Sequence, residues 1–428
     1  MKNKTPKITW SRSGGGMFER FAVNLEEYTT TGEAPKGGDQ DIRYALKLQK
    51  ERLQKKGVSM QYSFTPRGHF ADKDLDIRRW SDAHYTSQMK CRTCAMERTI
   101  TRNGKKEYTN RKNMSFYQTI TDVNTPQLAK NGYYNCPSCG GVSTFAQLHT
   151  GCPYCGTCFR MSDIFPVVSN YYFLEDMGLT QEEYKTKLAK FMVVTGILFF
   201  FFMLFKFLFF DGIPEGGLIS FLITLLLSSV FGGVTIGWLL YTYSLLGKLI
   251  WESGRSLPML PLLGSGMRFV NLMKRYSPEF SYEYFSNKVI SLLKAIIFSD
   301  NLSELAIYEG APLDGMFEDV IDVFYIGAMG LKSFRIKGDF CFVTVTVFLD
   351  NLYDNGEKIY QRRNKYSIQV KRNLNHPINM HFSIQRLQCK NCGASFDATK
   401  EKHCPSCGSA YNLEYEDWIV TQIKKIMY

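Results

Sequence analysis

Cys136-Pro137-Ser138-Cys139-Gly140 and Cys152-Pro153-Tyr154-Cys155-Gly156 stand on one side of a long apolar stretch; Cys389-Lys390-Asn391-Cys392-Gly393 and Cys404-Pro405-Ser406-Cys407-Gly408 stand on the other. Each knuckle holds two sulfurs across two residues, which turns both toward one point. The glycine that follows permits positive φ and can aim its amide at a thiolate. Three of the four carry proline at the turn's start, where φ is pre-set. Twelve residues separate the knuckles of the first set and eleven those of the second, enough for a short hairpin that returns to the metal. The spacing therefore predicts two structural zinc ions. Cys136, Cys139, Cys152 and Cys155 would hold one, and Cys389, Cys392, Cys404 and Cys407 the other. Four thiolates fill a tetrahedral sphere and leave no position for catalytic water. His149 and His403 stand close by but are surplus to a full site.

Thiolate sites belong in reducing compartments; disulfides in an oxidising space are the alternative. Both sets are thus expected on the cytoplasmic side of the plasma membrane, with an even number of crossings between them. The intervening sequence agrees. Phe191 to Phe210 is apolar apart from Lys206, and Leu218 to Leu246 carries no charge. Twenty helical residues span roughly 30 Å, the thickness of a hydrocarbon core. Asp211-Gly212-Ile213-Pro214-Glu215-Gly216-Gly217 reads as the turn of a hairpin over 188–250. Lys185, Lys187, Lys190, Lys248 and Arg255 flank it on the cytoplasmic side, whereas the turn carries only acids. Lys206 lies close enough to the outer end to snorkel or to meet Asp211. Gly233 and Gly237 form a GxxxG that packs either the hairpin or a neighbouring copy. No apolar run follows Met1-Lys2-Asn3-Lys4-Thr5, so the first spanning helix is expected to direct insertion, leaving both termini cytoplasmic.

The 428 residues carry a formal charge of +12, with 45% hydrophobic and 14% aromatic residues, and the isoelectric point is about 9.0. That balance fits a positive-inside membrane protein or an anionic lipid surface better than nucleic acid. No P-loop, GxSxG, HExxH or dinucleotide fingerprint is present. The zinc ribbon, over 131–165 and again over 386–411, is the one internal echo.

Residues 1–130 read as a soluble region without an assigned role. Ser11 to Gly16 and Thr29 to Gly38 look loose; Asp41 to Lys56 is a helix whose charge reads as a solvated face. Arg102-Asn103-Gly104-Lys105 is a hairpin turn between strands, with Tyr117 to Ile120 a further strand. Cys91 and Cys94 read as ordinary strand thiols, against a half-site completed by His84 or Cys158, or a redox pair. Cys341 reads as a core thiol.

After the hairpin, Ser281 caps a helix running through Val289, Leu292, Leu293 and Ile296, and a second helix is expected over Ser303 to Tyr308. Strands follow over Val320 to Ile326, Phe340 to Leu349 and Lys358 to Lys371, with Tyr353-Asp354-Asn355-Gly356 as a turn. A last pair, His381 to Gln388 and Asp417 to Ile423, flanks the second ribbon. This is an α+β plan. Phe280-Ser281-Tyr282-Glu283-Tyr284-Phe285, the helix, the strands and Trp418-Ile419-Val420 resemble a Tim-forty-four-like domain over 276–428. The similarity is to bacterial, Firmicutes-type membrane proteins that set zinc ribbons beside such a domain. The resemblance implies a cone-shaped, nuclear-transport-factor-two-like fold with a concave sheet for a peptide or small apolar ligand. Tyr325, Phe342 and Phe348 are the candidate surface, though each reads individually as core. The resulting expectation is a membrane-anchored, non-catalytic scaffold with a protein or peptide partner and a possible homo-oligomeric state. The alternatives are an enzyme using the pocket, with Asp319 and Asp322 as the nearest acids although both read as solvated beside a strand, and nucleic-acid binding through basic zinc ribbons, with Arg362-Arg363 and Lys371-Arg372 supplying charge.

Overall fold

Phe18, Phe21, Ala22, Leu25 and Tyr28 recur at helical spacing, and helix α1 (Met17–Thr31) turns them all inward. Asp39 caps α2 (Gln40–Lys55), its carboxylate accepting from the Ile42 amide at 2.8 Å. The computed structural model describes residues 16–67, 74–81, 85–124, 133–175, 181–211, 217–256, 268–278, 280–302, 305–376, 386–389, 391–397, 403–410, 413 and 417–426. The chain divides into two units: Met1–Asp176 together with Pro261–Tyr428, and Met177–Leu260. The first unit is α+β.

Strands β1 (Val58–Pro66), β2 (Leu75–Ser81), β3 (Tyr85–Arg102) and β4 (Lys105–Val123) follow α2. Asn103 and Gly104, both at positive φ, close the β3–β4 hairpin as a two-residue turn requires. The first ribbon, with its small hairpin β5 (Tyr133–Asn135) and β6 (Val142–Thr144), comes next. The chain then returns to the sheet as β7 (Val167–Glu175). Pairing is antiparallel in the order β1-β3-β4-β7, and β2 pairs with the rest of β3.

The second half repeats this plan. Helix α3 (Tyr282–Phe298) starts at Ser281, whose hydroxyl accepts from the Tyr284 amide. Strands β8 (Val320–Lys337), β9 (Phe340–Asp354) and β10 (Ile359–Asn373) precede the second ribbon with its hairpin β11 (Arg386–Gln388) and β12 (Ser395–Asp397). Strand β13 (Ile419–Ile426) returns to β10, and the order is β8-β9-β10-β13.

The correspondence extends to irregularities. Ser169 bulges between the Thr119–Asn170 and Ile120–Val168 pairs and lies with its hydroxyl 3.4 Å from the Thr119 carbonyl. Thr421 bulges between the Gln369–Gln422 and Val370–Val420 pairs, 3.3 Å from the Gln369 carbonyl. A second matched bulge falls at Asp76/Arg78 on β2 and at Leu331/Ser333 on β8, so β1 and β2 together occupy the place of β8. A parallel bridge ties Gly38 to Val168 and, likewise, Tyr308 to Val420. Bulges mark where a strand is bent for a purpose, and two at equivalent positions establish the halves as an internal structural repeat.

Several expectations change. Tyr308 lies in the bridge to Val420, and Leu305 to Tyr308 are not helical; Ser303 falls outside the described residues. The last strand pairs with β10, not with His381 to Gln388, of which 381–385 lie outside the described residues, as does His84. Ser11 to Gly15 also fall outside them. The compact unit is larger than the domain expected over 276–428, because polar side chains of α2 reach into the second half. Arg52 donates to the Phe317 carbonyl at 2.8 Å and pairs with Asp300 at 3.0 Å. Gln49 donates to Asp322 at 2.8 Å. The polar face of α2 is thus in part buried between halves, not solvated.

Each half has its own core. Phe18, Phe21, Phe64, Phe116 and Phe173 fill the first; Val289, Leu293, Val343, Val345, Val347 and Trp418 fill the second. The second ribbon joins its core through Cys389, Phe396 and Cys404, whereas the first forms a separate cluster of Tyr134, Cys136, Leu148, Cys152 and Ile164.

The other unit is a pair of helices, Gln181–Lys206 and Gly217–Ser256, the former running on as a π-helical turn over Phe207–Asp211. Each contains 26 residues long and apolar enough to cross a membrane, Lys185–Phe210 and Ile219–Ser244. Phe201, Phe202, Phe209 and Phe210 are exposed, as lipid-facing side chains would be and core side chains would not. The GxxxG packs the hairpin itself: a Cβ on Gly233 would sit 2.6 Å from the Gly196 Cα. Gly233→Leu is therefore expected to force the helices apart, at about 1–3 kcal/mol for overpacking a close contact. Spin labels on the two helices should report a longer, broader distance distribution, and an unchanged one would refute the close approach.

Candidate metal centres and cavity

The two cysteine sets are built alike. In the first, Cys136 and Cys152 amides donate to Gly141 and Thr157 carbonyls, and Gly140 and Gly156 amides to Cys136 and Cys152 carbonyls. In the second, Cys389, Cys404, Gly393 and Gly408 repeat the pattern. The sulfurs of Cys136–Cys155 and Cys139–Cys152 are 3.7 Å apart, those of Cys389–Cys407 and Cys392–Cys404 3.6 Å. Four sulfurs about 2.3 Å from a tetrahedral ion would be separated by about 3.8 Å. Both sets therefore fit a metal ion, and among the described residues they are the groups that do. Burial pushes the Cys136 thiol up to about 12, while Thr157 and Ser409 bring Cys155 and Cys407 down to about 6. A bound cation would deprotonate all of them.

Because the first ribbon keeps its own small core, space remains between it and the sheet. This cavity has a volume of about 550 Å³. Its walls are Trp80, Tyr85, Phe159 and Phe165, with Thr121 on β4 and Asp39 at the α2 cap. Ribbon backbone is fixed to α2 at its rim: Arg43 donates to the Pro137 carbonyl at 2.6 Å and Gln40 to the Cys136 carbonyl at 3.1 Å.

The floor is a buried ion cluster joining the halves. Lys288 on α3 lies 2.8 Å from Asp41 on α2 and 3.4 Å from Asp417 before β13. Tyr284 donates to Asp417 at 2.6 Å. Burial alone would lower the Lys288 ammonium; the two carboxylates outweigh it and raise it, while burial raises Asp417.

Asp39 lines the cavity and keeps part of its surface accessible. Burial first, then the neighbouring Asp41, push its carboxyl up to about 8, against the Ile42 amide and the pull of Lys288 and Lys294. An acid raised in the folded state holds a proton that the unfolded chain releases near 3.8. Its stabilising contribution is complete below that pH and is lost as pH rises to about 8. The melting temperature of wild type should therefore fall more steeply between those limits than that of Asp39→Asn. Parallel pH profiles would contradict the assignment.

The remaining sequence candidates lie elsewhere. Tyr325 is 7% exposed and Phe348 fully buried, Phe342 is half-buried, and none of the three lines this cavity. The inward face of β9 is Cys341, Val343, Val345, Val347 and Leu349. Asp319 is partly exposed and pairs with Lys56 at 3.0 Å. Asp322, read as solvated, is buried and accepts from Arg98 at 2.6 Å, Tyr62 at 2.7 Å and Gln49 at 2.8 Å. Cys91 and Cys94 are buried on β3, and Cys158 is exposed in the first ribbon, after the last of its four paired cysteines. His149 meets the Phe159 carbonyl and His403 bridges to Ala410, both outside the sulfur sets. Sequence reasoning missed Asp39, Tyr85 and Thr121. Asp39, after two glycines and ahead of the helix, could have been recognised as a cap, but nothing local indicates that a ribbon more than ninety residues later would roof it.

Compared with protein-family models, curated proteins and solved structures, the chain matches none of them.

Proposed function

We propose that this chain is a membrane-anchored, non-catalytic binding protein in which two zinc ribbons stiffen a two-lobed body and the first of them walls a ligand site. The cavity of about 550 Å³ between that ribbon and the sheet carries this reading. It is within the size range of small-molecule sites, with aromatic walls and a few convergent polar groups. The peptide or small ligand expected on Tyr325, Phe342 and Phe348 finds its room here instead. Asp319 and Asp322, the acids weighed for catalysis, are both engaged in ion pairs.

Zinc is the favoured metal because four thiolates at these separations suit a closed tetrahedral site. Anchoring in the plasma membrane, with two crossings and both termini cytoplasmic, is supported by chain connectivity. Residues before and after the apolar helices fold into one unit, and Tyr154 of the first ribbon reaches the Gly393 carbonyl of the second at 3.4 Å. A single pair of crossings meets that requirement. The Tim-forty-four-like, cone-shaped reading of 276–428 draws support from a helix followed by a four-stranded antiparallel sheet.

The test is a thermal-shift screen of small molecules of varied charge on the metal-loaded protein in detergent. Ser87→Phe serves as control, since Ser87 lines the cavity at the position equivalent to Phe342. Stabilisation that depends on concentration and vanishes in Ser87→Phe supports the reading. No stabilisation by any compound, or chemical turnover of one that binds, would sink it.

A further inference from the structure

The second half contains an ammonium group for which the first half has a place but no side chain. Lys371 puts its Nζ 2.6 Å from Glu309 Oε2 and 5.4 Å from the centroid of the Phe340 ring. The matched bulges carry these three positions onto the first half. Glu309, whose amide donates to the Val420 carbonyl, corresponds to Asp39, whose amide donates to the Val168 carbonyl. Lys371, one place beyond Val370 at the bulge, corresponds to Thr121, one place beyond Ile120. Phe340, paired with Asn373, corresponds to Tyr85, paired with Val123. The carboxylate and the aromatic ring are retained, the lysine is cut back to threonine, and all three residues line the cavity.

The charges around this place leave it suited to a cation. Lys288 is already held by Asp41 and Asp417, Arg43 is fixed on the Pro137 carbonyl, and Lys36 is exposed. Among the described residues no ion pair reaches Asp39, whose side-chain hydrogen bond is the cap to Ile42. Above about 8, where it has lost its proton, Asp39 is a carboxylate beside an aromatic face in a half-dry site, which attracts a cation through both charge and ring quadrupole. We propose that the cavity takes a small molecule by a primary ammonium group seated between Asp39 and Tyr85, where the second half seats the ammonium of Lys371. The apolar stem of such an amine would lie against Trp80, Phe159 and Phe165. This rests on the cavity being a ligand site and adds the chemistry of what it binds.

The test is calorimetric titration of the full-length, metal-loaded protein in detergent with phenethylamine, phenethyl alcohol and phenylacetate at about pH 9, where Asp39, pushed up to about 8, is ionised and an alkylamine is still an ammonium. The amine should bind at least about tenfold more tightly than the alcohol, the scale of one charge-assisted contact, and the acid more weakly than both. Asp39→Asn keeps the helix cap, because asparagine caps as well as aspartate, and should reduce the amine to the level of the alcohol. Thr121→Lys should rebuild the arrangement of the second half, abolish amine binding and leave the protein folded with an unchanged or higher melting temperature. Equal affinity for amine and alcohol, preference for the acid, or amine binding undiminished in Asp39→Asn would overturn the proposal. If the alcohol still binds in those cases, the cavity remains a ligand site with different chemistry. If none of the three binds, the ammonium assignment falls, and the Ser87→Phe screen separately decides the cavity itself.

Discussion

Removing the metal from the first ribbon, by chelation or by Cys136→Ser, is expected to unfold that module and with it one wall of the cavity. Structural zinc in modules of this size contributes about 10–16 kcal/mol of apparent binding free energy, nearly all the folding energy such a module has. The cluster of Tyr134, Cys136, Leu148, Cys152 and Ile164 is too small to persist alone. Metal analysis should find two ions per native chain and one in Cys136→Ser. Hydrogen exchange in Cys136→Ser should rise sharply over 133–165 while β8, β9 and β10 stay protected. The second ribbon should respond differently. Cys389, Phe396 and Cys404 belong to the core of the second half, so Cys404→Ser should lower the melting temperature of the whole body. Identical effects from the two substitutions would show that the separate packing of the ribbons has no energetic meaning.

Replacing Lys288 by methionine is the second large effect. The change leaves Asp41 and Asp417 buried together without the cation that lies 2.8 and 3.4 Å from them. Breaking one partner out of a buried ion cluster typically costs about 3–5 kcal/mol, because the remaining charge has no solvent. The stability of Lys288→Met should therefore fall by about that amount at neutral pH and recover as pH drops and Asp417, already raised by burial, takes up a proton. Adding Asp41→Asn and Asp417→Asn should restore much of the loss, since a neutral polar cluster of the same shape carries no stranded charge. Unfolding curves across pH check both statements. A loss of under about 1 kcal/mol, the value of an exposed pair, would mean that water reaches the cluster.

The local features of the fold were legible because each is set by neighbours in sequence. The Cys-x-x-Cys-Gly knuckles, the Asn103-Gly104 turn, the Ser281 cap and the two apolar helices all depend on a few adjacent residues, and each stands where the pattern put it. The failures are of a different kind. Asp322 has the composition of a solvated acid and is buried only because Arg98, Gln49 and Tyr62 arrive from more than two hundred residues away. Tyr325 and Phe348, offered together as a surface but read one by one as core, are closed over by packing, in keeping with the core reading. The repeat was seen only at its ribbons, where chemistry constrains spacing; along the strands it persists in hydrogen-bond register, which leaves no fixed residue type behind.

What the amino-acid order determined by itself was the set of parts: two four-sulfur modules, two helices apolar enough for a bilayer, and an α+β remainder. Thiolate geometry and hydrophobic length act over short stretches and need no partner. Tertiary structure alone decided that the parts before and after the hairpin form one body, that its halves repeat, and that one ribbon stands clear of its sheet while the other is absorbed. Those outcomes depend on which buried charges and apolar faces meet across the fold. They are differences of a few kcal/mol between competing contacts, which no local pattern encodes.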